Sequence, residues 1–158
     1  MINVEDLRIG DIVQTNKDCM FPKDTLCIVT EIHPDRQRND KKGVVSLKAV
    51  NDEDDGPWGT WCCNIDGVPI TLEILKKNGF KEEIVGKYFT RPIKARTGSS
   101  LARYLAVERK KYAWAIFIKY YDVKGYALLF HIKYVHELQL ALKIVKFSLE
   151  NNVYSYDS

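Results

Sequence analysis

The sequence predicts an α+β fold: a small N-terminal β module, a short helix, a second antiparallel sheet, and a C-terminal helix packed on that sheet. Three observations predict it. The first seventy residues hold four short runs rich in Val, Ile and Thr, separated by clusters of Gly, Pro, Asn and Asp. The β pattern returns from Tyr88 onward. From Val135 to Leu149, apolar residues recur three and four positions apart, which is helical spacing.

The elements follow in order. Asp6-Leu7-Arg8-Ile9-Gly10-Asp11 reads as a turn feeding a strand that begins at Ile12-Val13. Leu26 to Ile32 is a second strand, and His33-Pro34 is expected to end it, because proline cannot donate to a ladder. Asp35 to Lys42 reads as a charged loop. Gly43 to Val50 is a third strand with Val45, Leu47 and Ala49 on one face and Ser46 and Lys48 on the other. Asn51 to Pro57 is an acidic, turn-rich loop, and Gly59 to Ile65 a fourth strand carrying Trp61. Four such strands suggest an SH3-like β-barrel or a curled antiparallel sheet, a statement about fold class and not about function.

Thr71 is the expected N-cap of a helix over Leu72 to Asn78, with Glu73 in its first turn, Gly79 as the left-handed stop and Phe80 packing back. Leu101 to Glu108, Trp114 to Tyr121 and Tyr126 to Ile132 read as strands, with Asp122-Val123-Lys124-Gly125 as a turn and Arg91 to Ser100 as a loop. In the last helix, Val135, Leu138, Ala141, Leu142, Val145 and Leu149 form an apolar stripe, widened by Leu140, Ile144 and Phe147. The expected organisation is residues 1–70 as the β module, 71–150 as the remainder of the fold and 151–158 as a tail.

Composition bounds the class. A hydrophobic fraction of 46% and a charged fraction of 28% are ordinary globular values. No run approaches the roughly 20 apolar residues of a membrane span, and the first residues show no basic stretch followed by an apolar one, so the expectation is a cytoplasmic protein without membrane contact. Residues 1–70 carry 8 basic and 13 acidic side chains, net −5, whereas residues 71–158 carry 16 basic and 8 acidic, net +8. Such asymmetry points either to an anionic partner or to two halves that face each other as one body.

Four stretches carry a resemblance: Asp6-Leu7-Arg8-Ile9-Gly10-Asp11-Ile12-Val13, Ile65-Asp66-Gly67-Val68-Pro69-Ile70-Thr71-Leu72, Leu75-Lys76-Lys77-Asn78-Gly79-Phe80 and Ile132-Lys133-Tyr134-Val135-His136-Glu137-Leu138-Gln139. In that order they resemble a group of small proteins encoded by prophages and mobile elements of gut bacteria, a group with no known activity. The resemblance implies one architecture along the whole chain and a bacterial intracellular origin. It brings no ligand, cofactor or catalytic residue with it. Between Arg91 and Lys111 the sequence is longer and more basic than that layout.

No motif of catalysis is present: no Walker A pattern, no G-x-G-x-x-G, no H-E-x-x-H and no G-x-S-x-G. The expectation is therefore a non-enzymatic protein with no cofactor and no metal. Cys19, Cys27, Cys62 and Cys63 include no C-x-x-C, and in a strand the adjacent pair would point to opposite faces, so plain buried or half-buried thiols are expected. His33, His131 and His136 have no metal-ligand spacing. His136, at the start of the last helix, is read as a structural imidazole bonded to loop backbone, with acid–base work or ligand contact as the alternative. Asp52-Glu53-Asp54-Asp55 lacks the alternate spacing of a calcium loop. Gly98-Ser99-Ser100 after Arg96 is a weak oxyanion loop.

Two interaction surfaces emerge. The first is basic and aromatic: Lys87, Arg91, Lys94, Arg96, Arg103, Arg109, Lys110 and Lys111 alternate with Tyr88, Phe89, Tyr104, Tyr112 and Trp114. Cations neutralise phosphates and aromatic faces stack on unpaired bases, so Arg91, Lys94, Arg96, Arg103, Arg109, Lys111, Tyr104 and Trp114 form a candidate nucleic-acid surface. The second is Trp58 and Trp61 beside the acidic loop, a candidate peptide contact, with barrel capping as the alternative. The leading expectation is an accessory protein acting through protein contacts; nucleic-acid binding is the alternative, and an enzyme of unrecognised class a third.

Overall fold

In a computed structural model the chain forms two antiparallel five-stranded sheets, each with its own core. The structure describes residues 2–52, 56–93, 103–120 and 126–150, with the backbone alone for 120, 126–130 and 146–150. Two compact units result: Met1–Pro69 with Tyr134–His136, and Ile70–Lys133 with Glu137–Ser158.

The first unit contains β1 (Ile12–Thr15), β2 (Leu26–Arg38), β3 (Lys41–Ala49), β4 (Trp58–Trp61) and β5 (Ile65–Gly67), in the spatial order β4-β3-β2-β1-β5. Alternation places Val45, Leu47 and Ala49 inward as expected, where they meet Val13, Cys27, Val29 and Ile65. A single 3₁₀ turn, Val4–Asp6, lays Val4 on this core, and Gly43, in the left-handed region at φ 81°, leaves room for the Val4 side chain. Buried Asp11 accepts a hydrogen bond from the Arg8 N–H at 2.7 Å, which closes the turn into β1. Buried Thr15 donates to the Pro22 carbonyl at 2.6 Å and accepts from the Thr25 N–H at 3.0 Å.

Three sequence expectations change here. Pro34 does not end the second strand, which continues to Arg38, and 35–42 is therefore not a loop. Proline is tolerated because β1 pairs only with Leu26 to Ile28 and because the register slips between His33 and Gln37. The hairpin closes at Asn39, which adopts φ 55°. The fourth strand breaks after Trp61 into a 3₁₀ turn, Cys62–Asn64, before β5 begins. That turn is held by the buried Asn64 amide donating to the Thr60 hydroxyl at 2.9 Å. Cys62 and Cys63 thus lie on a turn, not on opposite faces of a strand. Among the described residues the sheet does not close: β4 and β5 are its two ends.

The second unit contains α1 (Leu72–Lys77), β6 (Lys81–Ile84), β7 (Tyr88–Ile93), β8 (Arg103–Arg109), β9 (Trp114–Tyr120), β10 (Tyr126–Ile132) and α2 (Val135–Glu150), with strand order β10-β9-β8-β7-β6. Local sequence sets α1 completely. The Thr71 hydroxyl accepts from the Ile74 N–H at 3.3 Å. At the other end Gly79 takes φ 81°, its N–H reaches the Lys76 carbonyl, and the N–H of buried Phe80 reaches that of Leu75. The α2 stripe of Leu138, Ala141 and Val145 packs on Phe89, Leu105, Val107, Ile116 and Ile132. Ile144, expected to widen that stripe, is 41% exposed.

Two differences concern the middle of the chain. β6 is a charged strand that no hydrophobic alternation announces. β7 runs through Arg91 and Pro92 to Ile93, so the first three residues of the expected Arg91 to Ser100 loop are strand. Pro92 sits beyond the last residue of β7 that β6 pairs with, so its missing N–H costs no ladder bond on that side. The 94–100 part of that expected loop, the Leu101 start and Tyr121 end of two expected strands, the expected 122–125 turn, Glu53, Asp54, Asp55 and residues 151–158 lie outside the described residues.

Candidate functional site

One end of the second sheet gathers exposed apolar and cationic side chains. Two turns build it. The β6–β7 turn bends at Gly86 (φ 65°), whose N–H donates to the Glu82 carboxylate at 2.8 Å, and the Lys87 N–H closes onto the Ile84 carbonyl. The β8–β9 turn closes by the Lys110 N–H on the Ala113 carbonyl at 2.8 Å. The Arg109 N–H donates to the Lys87 carbonyl at 2.8 Å, which fixes the two turns side by side.

The tips carry Ile84 (55% exposed), Val85 (89%) and Tyr112 (75%). Around them lie exposed Lys87, Arg109, Lys110 and Lys111. The Lys111 ammonium sits 5.0 Å from the Tyr112 ring centre, and the Arg109 guanidinium 5.8 Å from that of Trp114. Two acids are held in place beneath. The Gly86 N–H, and then Lys76, keep the Glu82 carboxyl below its usual range. The Lys110 ammonium, 2.8 Å away, does the same for Glu108. The result is an apolar centre rimmed by cations.

The residues expected to bind nucleic acid do not share one face. The register places Arg91, Arg103, Arg109 and Trp114 on the face of the sheet that carries Phe89, Leu105 and Val107, the face α2 covers. Trp114 is buried there, and Arg91 lies against Gly79 at the end of α1. Tyr104 is on the opposite face. It packs with Tyr88 on a small cluster of Ala106, Ala115 and Phe117. The two tyrosines share a hydroxyl hydrogen bond, and burial pushes both phenols above their ordinary value. The Lys119 ammonium lies 5.2 Å from the Tyr88 ring centre and 5.1 Å from that of Phe117. Lys111 is at the sheet end described above. Lys94 and Arg96 lie outside the described residues, as do Gly98, Ser99 and Ser100.

Trp58 and Trp61 both lie on β4, but three positions apart, so alternation turns them to opposite faces. Trp58 is 43% exposed. His136 is buried, with its ring stacked on Tyr134 at 5.7 Å between centres. Its Nδ1 is buried and has no hydrogen-bond partner, so the expected bond to loop backbone is not made at that atom. His33 instead pairs with Glu31 at 3.2 Å on the surface of the first sheet. Among the described residues no group of three His, Cys, Asp or Glu side chains could hold a metal ion.

Sequence reasoning named Lys87, Arg109, Lys110, Lys111 and Tyr112 but missed Ile84 and Val85. A signal existed: an aliphatic pair stands at the tip of the otherwise charged stretch Lys81-Glu82-Glu83-Ile84-Val85-Gly86-Lys87. Ile84 ends β6 and Val85 follows it, and two adjoining aliphatic side chains left in water beside exposed Tyr112 form an apolar patch, which is the informative kind of exposure.

All four cysteines are free thiols. Burial, and then the neighbouring Cys63, push the Cys62 thiol up from 9.0 to about 11. Cys62 should resist iodoacetamide in the native state at neutral pH while half-buried Cys63 reacts first. The sign of the linkage follows. Above pH 9.0 the unfolded chain releases this proton and the folded chain retains it, so stability falls as pH rises from 9.0 towards about 11. Urea unfolding across that window should show a shallower loss for Cys62→Ala than for the parent; equal slopes would refute the assignment.

Compared with known proteins, the chain matches no family model, no curated protein and no solved structure. The fold and the site define an α+β protein of two antiparallel sheets. Among the described residues no helix is long and apolar enough to cross a membrane.

Proposed function

We propose that this is a non-enzymatic accessory protein of a phage or mobile element, working in the bacterial cytoplasm by binding another protein at the end of its second sheet. One observation carries this reading: Ile84, Val85 and Tyr112 stand exposed at adjoining turns, ringed by Lys87, Arg109, Lys110 and Lys111. An apolar centre with a polar rim is the anatomy of a protein interface. The cations make an acidic partner surface the complement. We infer further that the first unit is an SH3-like barrel left open: a four-strand meander, a 3₁₀ turn and a fifth strand returning to β1 support that template.

Nucleic-acid binding is the second reading, favoured by four cations around Tyr112. It is weakened by the loss of stacking surfaces, since Trp114 is buried and Tyr104 lies on the other face of the sheet. A photoreactive side chain at position 85 separates the two. An adduct with an acidic protein should form in the host, and Tyr112→Ala and Lys111→Glu should abolish it. Ile144→Asp, on α2, should leave it intact. Single-stranded DNA binding at about 50 mM salt that is lost on reversing Arg109, Lys110 and Lys111 but kept in Val85→Asp would replace the protein reading with the nucleic-acid one.

A further inference from the structure

The strand edges of the two sheets differ in how they discourage further pairing. β5 is three residues long, and its chain continues into a bridge between Pro69 and Tyr134. β6 carries Lys81, Glu82 and Glu83 and has a register slip against β7. Shortness, charge and bulges are the usual means of blunting an edge. β4 uses fewer of them. Trp58-Gly59-Thr60-Trp61 has no charge and no proline, and its register with β3 is unbroken from Trp61 opposite Val44 to Trp58 opposite Leu47. Among the described residues it is the last strand of its sheet, and Pro57, Trp58 and Gly59 are exposed.

Alternation gives this edge two apolar walls. Trp58 shares a face with buried Thr60, and Trp61 takes the other face. An extended segment laid along β4 would meet one indole on each side, while main-chain bonds supplied its register. Charge selects the kind of segment. Residues 1–70 have a net charge of −5, and exposed Asp52 lies in the connection that leads into β4. We propose that the outer edge of β4 accepts an extended, basic, partly apolar polypeptide segment as a sixth strand. This goes beyond the sheet-end contact and stands on different residues.

The probe is a synthetic lysine–valine alternating octapeptide, added to the full chain at about 1 mM. Hydrogen exchange at the outward-pointing amides of Gly59 to Trp61 should slow by about tenfold. The indole fluorescence response should shrink in Trp58→Ala, which leaves only that of Trp61, and binding should vanish in Trp58→Lys, which places a like charge on the edge. A peptide of the same charge with a central proline should protect nothing, and a glutamate–valine peptide should not bind. Val85→Asp should leave all of this unchanged. The proposal is overturned by unaltered exchange at Gly59 to Trp61, by equal protection from the proline peptide, or by sedimentation showing that β4 instead pairs with a second copy of the chain.

Discussion

Phe89→Ala should destabilise the protein by about 3–5 kcal/mol, the range for removing a large aromatic side chain from a packed core. Phe89 is fully buried on β7 and meets the Trp114 ring edge-on, 5.9 Å between centres at 70°. It belongs to the cluster that includes Leu105, Val107, Ile116, Leu138 and Ala141, so its loss opens a cavity between the sheet and α2. The backbone there is pinned by pairing with both β6 and β8, which limits collapse into the void. Denaturant unfolding should show a lower midpoint with an unchanged slope. Phe89→Leu, which keeps most of the volume, should cost clearly less. A loss below about 1 kcal/mol for the alanine variant would mean that the site refills, contrary to this packing.

Gly67→Ala should cost about 1–3 kcal/mol by overpacking. Backbone conformation is not the cause; the cost is steric. A Cβ at position 67 would lie 2.4 Å from Cγ, 2.7 Å from Cδ1 and 2.9 Å from Cβ of Tyr134. These are the root of the side chain, so rotating the phenol away does not relieve them. Tyr134 has little room to retreat. It bridges Pro69, its ring stacks on His136, and the next N–H, of Val135, donates to the Val68 carbonyl at 2.8 Å. In a Tyr134→Ala background most of the penalty should disappear, because the two closest contacts are gone. A double-mutant cycle measures this coupling, and additive effects would show that Gly67 is needed for some other reason.

What the sequence made legible is what short stretches of chain decide. Thr71, Gly79 and Phe80 specify both ends of α1 because capping depends on neighbours within one turn. The inward set Val45, Leu47 and Ala49 follows from alternation alone. Periodicity likewise marked Leu138, Ala141, Leu142 and Val145 as the packed side of α2, whereas Ile144 is exposed. β6 was not legible, because a charged edge strand is held by its neighbour's ladder and not by its own apolar face. The continuation of β2 through Pro34 depends on which of its edges another strand occupies.

The candidate site divides in the same way. Composition fixed that residues 71–158 are basic and that aromatic residues alternate with cations there. Which of those side chains meet was decided by strand register, since a side chain's face is known only once its partner across the ladder is known. Register sent Arg91, Arg103 and Trp114 to one face, Tyr104 and Tyr88 to the other. A main-chain bond from Arg109 to Lys87 then set Ile84 and Val85 beside Tyr112, across more than twenty positions of chain. The sequence by itself determined the elements and their charges. The tertiary structure decided which side chains share a surface, because hydrogen-bonded pairing between distant strands, and not local preference, sets where each one points.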